Sequence, residues 1–73
     1  MNTRIDIIQL ITVCFSKDYI LFIKLSKIYA HELKCKQLEE LYINIYWSFV
    51  FNNMKLCHIY MITFIKTLHF MNY

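Results

Sequence analysis

Seventy-three residues carry eight Lys or Arg against five Asp or Glu, a net charge of +3, and 59% of them are hydrophobic against 18% charged. That balance excludes a disordered chain, and the mild basic excess falls short of a nucleic-acid signature, so no specific nucleic-acid partner is expected. A chain this short cannot hide so many large side chains, so residues 1–73 read as one small domain with apolar surface left for a membrane or a partner.

In chain order, a short polar start comes first, in which Thr3 and Asp6 resemble a weak N-cap pair. A first helix is expected from about Arg4 to Phe15. It places Ile8, Ile11 and Phe15 on one face, with Ile7, Leu10 and Cys14 beside them. The same segment makes a poor secretion signal. Asp6 and Gln9 interrupt its apolar run, Cys14-Phe15-Ser16 is a poor cleavage site, and Val13 stands where a lipoprotein motif wants a small residue. The chain is therefore not expected to be secreted. Ser16-Lys17-Asp18 then breaks the pattern, and Ser16 or Asp18 can cap the next helix.

The second helix is expected from about Tyr19 to Leu33, with Leu21, Phe22, Leu25, Ile28, Tyr29 and Leu33 on its apolar face. Lys24, Lys27, His31 and Lys34 line the opposite face. That stripe is the solvated side of an amphipathic helix, and it is also the candidate contact for an anionic surface such as lipid headgroups. A break is expected over Lys34-Cys35-Lys36. With no Gly or Pro there, a single long helix is the alternative, and Glu32 and Lys36 are expected to form an i, i+4 surface pair.

Next in the chain is Lys36 to Phe51. Leu38, Leu41, Tyr42, Ile45 and Phe49 recur at helical spacing, with Gln37, Glu40, Asn44 and Ser48 opposite and acids in the first turns. From Ile43 onward the residues are mostly β-branched or aromatic, so a β-hairpin over 43–65, turning at Asn52-Asn53, is the rival reading. In the helical reading Asn52-Asn53 ends the helix in a left-handed turn, and a fourth helix runs from about Lys55 to Phe70. Its face is Cys57, Met61, Phe64, Ile65 and Leu68; Lys55, His58, Lys66 and His69 lie largely opposite. The expected fold class is all-α, three to four short amphipathic helices in a hairpin or small bundle.

Chemistry is sparse. Three widely spaced cysteines suggest no disulfide framework and fit a reducing compartment. His31, Cys35, Cys57 and His58 include the right ligand types for zinc but lack the usual spacing, so neither metal nor cofactor is expected. Cys35 has His31 and several carboxylates near it in sequence. These read better as a buried thiol and surface charges than as a catalytic set, and no enzyme is expected. Ala30, Cys35, Leu38 and Tyr42 to Tyr46 resemble a helix pair in the BACK region of BTB–Kelch adaptor proteins. That resemblance covers under a third of the chain, its upstream half does not match, and it implies a fragment of a protein-interaction scaffold.

The stretch Leu41 to Ile65 holds one formal charge, Lys55, yet its longest uncharged run, Leu41 to Met54, is 14 residues against the roughly 20 a spanning helix needs. An interfacial helix or helical hairpin therefore fits better than a span, with Tyr46, Trp47 and Phe49 as candidate apolar anchors. The leading expectation is a small, non-enzymatic, membrane-associated helical protein. The alternative is a soluble helical module, in the cytoplasm, that oligomerises or binds a partner with the same faces. A third reading comes from the absence of Gly and Pro and the excess of Ile, Lys, Phe, Tyr, Asn and Met, whose codons are AT-rich. An unselected open reading frame in AT-rich DNA would share that composition.

Overall fold

The computed structural model describes residues 4–73 and contains four α-helices: α1 (Ile7–Phe15), α2 (Tyr19–Leu33), α3 (Lys36–Val50) and α4 (Met54–Phe70). No strand occurs among the described residues, so the β-hairpin alternative for 43–65 is corrected: helical spacing and good caps outweigh the β propensity of those residues. Nor do α2 and α3 fuse. Lys34 adopts a left-handed conformation, φ 50°, which ends α2 and puts Glu32 and Lys36 on different helices rather than in an i, i+4 pair.

The helix boundaries arise from short polar side chains. Asp6, Asp18 and Asn53 are N-caps whose side-chain oxygens accept from the backbone N–H of Gln9, Leu21 and Leu56, at 3.0, 3.2 and 3.3 Å. Each satisfies a donor that has no partner within its helix. Asp6 explains why α1 starts at Ile7 rather than near Arg4; Thr3 lies outside the described residues. At the C-termini, α1, α3 and α4 end in Schellman motifs. In α3, Asn52 N–H donates to Phe49 O and Asn53 N–H to Ser48 O; in α1, Lys17 and Asp18 donate to Cys14 O and Val13 O in the same way. The motif wants glycine at its left-handed position, and this chain has none. Lys17, Asn52 and Asn72 occupy those positions with φ of 55°, 60° and 68°. A side chain there meets a steric penalty that glycine avoids. Lys34→Gly is therefore expected to stabilise the fold by about 0.5–1 kcal/mol, read from the urea midpoint. A lower midpoint would count against a left-handed Lys34.

Short loops make neighbouring helices antiparallel, and α3 with α4 forms the most extensive pair. Tyr19 at the start of α2 meets Phe49 at the end of α3, with ring centroids 5.9 Å apart. The end of α1 meets the start of α4 through Cys14 and His58. The α1–α2 and α3–α4 loops consequently lie at one end of the bundle, and the α2–α3 loop lies at the other. Phe22 of α2 and Phe64 of α4 meet edge to face at 5.9 Å in the centre, surrounded by Leu10, Leu38, Ile45, Met61 and Leu68, all fully buried.

Two faces are rotated from the sequence expectation. On α1 the buried residues are Leu10, Val13 and Cys14, while Ile8 and Phe15 are exposed. On α2 the buried set is Phe22, Ser26, Tyr29 and Ala30, and Ile28 is exposed. Ser48, assigned to the polar side of α3, is buried. The flank that each helix buries is set by the neighbours packed against it rather than by its own apolar stripe. Ser26 and Ser48 are tolerated because their hydroxyls donate to Ile23 O and Ile45 O, each at 2.9 Å.

Candidate functional site

Among the described residues, the large apolar side chains left exposed outnumber those in the core, and the most coherent group lies on the outer face of α3. Leu38, Leu41, Ile45 and Ser48 turn inward, so helical geometry turns Ile43, Tyr46, Trp47 and Val50 outward. Tyr42, Tyr46, Trp47 and Phe51 form a ladder of rings with successive centroid distances of 6.4, 5.3 and 5.8 Å. Trp47 is 51% exposed and Phe51 75%. Between α3 and α4 the ladder continues into a shallow groove lined by Asn44, Trp47, Phe51, Asn53, Leu56 and Tyr60.

Of the anchors expected from sequence, Tyr46 and Trp47 stand on this face. Phe49 does not: it is half-buried and packs on Tyr19. Phe51 takes its place, two residues on, because the helix ends there and its ring folds back on Trp47 rather than into the core. Helical spacing already carried the signal, since Phe49 follows Ile45 by four residues on the buried stripe of Leu38 and Leu41, whereas Phe51 falls nearly opposite. The expected cationic stripe, Lys24, Lys27, His31 and Lys34, is fully on the surface of α2. Its lower part shares a groove with an acid, since Lys27 and His31 line one cleft with Glu39, Tyr42 and Ile43.

The Cys and His residues are not brought together as a ligand set. His31 lies on the surface of α2 and Cys35 is the N-cap residue of α3. Cys57 turns into the core, its Sγ 3.5 Å from Ile45 O and 4.0 Å from Met61 Sδ. His58 turns the other way, towards α1, with Nε2 3.2 Å from Cys14 O and 3.5 Å from Cys14 Sγ. Protonated at Nε2, the ring donates to a carbonyl at the C-terminus of α1 and ties α1 to α4. Among the described residues no group of three His, Cys, Asp or Glu is placed to hold a metal ion.

Sequence reasoning did not find the Cys14–His58 contact, since 44 residues separate the pair. It does not form an activated nucleophile. Burial, and then the neighbouring Cys57, push the Cys14 thiol above the ordinary 9.0. Burial also raises Cys57. A nucleophilic thiol needs the opposite shift. A raised thiol pKa in the folded state means that its contribution to stability is fully present below about pH 9 and is lost as pH rises through the folded value. Half-buried Cys35 is expected to react first with a thiol reagent in the native protein, with Cys14 and Cys57 reacting only on unfolding. Prompt labelling of all three in buffer would show that the core opens freely.

Among the described residues no helix is long and apolar enough to cross a membrane. Comparisons with family models, with curated proteins and with solved structures find no match to this chain. The helix pair resembling a BACK region gains no support from them, and the functional reading rests on geometry alone.

Proposed function

We propose that this protein is a non-enzymatic, peripheral membrane-associated bundle that rests on a bilayer surface through the ring ladder of α3 and the adjoining loop end. The observation that carries this reading is the composition of that surface. Tyr46, Trp47, Phe51 and Leu56 are exposed together in a stretch, 41–65, that contains no acidic residue. Phe15 and Ile20, 75% and 58% exposed, lie beside the other loop of the same end. The acids Glu32, Glu39 and Glu40 belong to the opposite end, around the α2–α3 loop. Amphipathic aromatic rings suit the headgroup region, where one edge meets hydrocarbon and the other water. The core faces of α3 and α4 stay inside the bundle, so attachment uses its outer surface and requires no hairpin to open.

Trp47 is the only tryptophan, so its emission reports directly on this site. Adding phospholipid vesicles is expected to shift that emission to shorter wavelength as the ring leaves water. An unchanged spectrum at millimolar lipid would sink the membrane reading. It would favour instead a helical interaction module that covers the same rings with a protein.

A further inference from the structure

The fold brings together two lysines that the sequence keeps 38 positions apart. Lys17 in the α1–α2 loop and Lys55 in the first turn of α4 line one groove with Tyr19, Met54, His58 and Ile59. Both lysines are exposed at the loop end of the bundle, and Ile59, 50% exposed, stands one turn along α4 from Lys55. The acid of this end, Asp18, has a carboxylate oxygen engaged as the N-cap of α2. Resting on the proposed membrane reading, we infer that this groove receives the phosphate of an anionic phospholipid headgroup. Lys17 and Lys55 flank the phosphate, while Phe15, Phe51 and Leu56 enter the acyl boundary. Charge complementarity selects the occupant: two lysines line a groove at the same end as the exposed Phe15, Phe51 and Leu56, and long lysine stems can lie along apolar surface while their charges stay at headgroup level. The α2 stripe is less suited, because Glu39 shares its groove with Lys27 and His31.

The left-handed position of Lys17 supplies a clean test, since glycine removes the charge and relieves the backbone. Lys34→Gly makes the same change at the far end of α2. A helix of 15 residues puts it about 22 Å away, beyond the roughly 8 Å over which charges act at physiological salt. Partitioning would be measured through Trp47 emission with phosphatidylcholine vesicles, with and without phosphatidylglycerol. The wild type is expected to prefer the anionic vesicles. Lys17→Gly and Lys55→Gln should each weaken anionic binding about fivefold and leave neutral vesicles unaffected, and Lys34→Gly should change neither. Equal binding to both vesicle types, or equal loss from Lys34→Gly, overturns the inference while the membrane reading stands. No binding to any vesicle sinks both. Binding of soluble glycerol phosphate without vesicles would mark a free-anion site and overturn the headgroup assignment.

Discussion

Replacing Phe64 by alanine is expected to cost about 3–5 kcal/mol, the usual range for a buried aromatic ring. Phe64 is fully buried and meets Phe22 edge to face within the core cluster to which all four helices contribute. At roughly 0.05–0.15 kcal/mol per residue, a domain of this size is stable by about 4–11 kcal/mol. The change therefore removes a large part of the total, and the thermal midpoint should fall by well over ~10 °C. The cavity cannot close, because Met61 and Leu68 are held on the same helix face and Phe22 is held by α2. Phe70→Ala is the matched control. Its ring is 90% exposed, so stability should move by no more than about 0.5 kcal/mol. Circular dichroism melts of the two variants in buffer decide the matter. Equal effects would mean that α4 does not use the Cys57–Met61–Phe64–Leu68 face as its core.

Phe51→Glu should do the reverse, sparing the fold and abolishing attachment. With 75% of the residue already in water, its replacement leaves the core intact. On a bilayer the variant loses the transfer of an aromatic ring and gains a like charge against anionic headgroups. Together these amount to about 3 kcal/mol, or ~150-fold in partition. Trp47 remains as the probe, and each variant is referred to its own spectrum without lipid. A Phe51→Glu protein that melts normally yet binds vesicles as the wild type does would remove α3 from the attachment surface.

The local half of this molecule was legible in its residues. Helix spacing placed α2 and α3 within a residue or so, because α2 begins and α3 ends beside short polar side chains that can cap, although Cys35 at the start of α3 supplies no side-chain cap. Asp18 and the Asn52-Asn53 pair are such residues, and their chemistry acts over three or four positions. The face of α4 was legible for the same reason, since Cys57, Met61, Phe64 and Leu68 recur at its period.

What a stripe cannot state is which flank of it a neighbouring helix will cover. Ser26 and Ser48 are buried while Ile8 and Ile28 are exposed, because which flank is covered is a property of the pair of helices and not of either one. The same holds at the surface. Phe49 shares the stripe of Leu38 and Ile45, but that its cover is Tyr19 of α2, and that Phe51 stacks on Trp47, follows only from the packed bundle. Lys17 and Lys55 form one cationic groove, and His58 reaches Cys14, only because the loop of α1–α2 and the start of α4 meet at one end of the bundle. Periodicity and capping are short-range, so the sequence alone determined an all-α chain of three to four helices and most of their boundaries. Side-chain packing between helices is long-range, so the tertiary structure alone decided which apolar residues became core and which became surface.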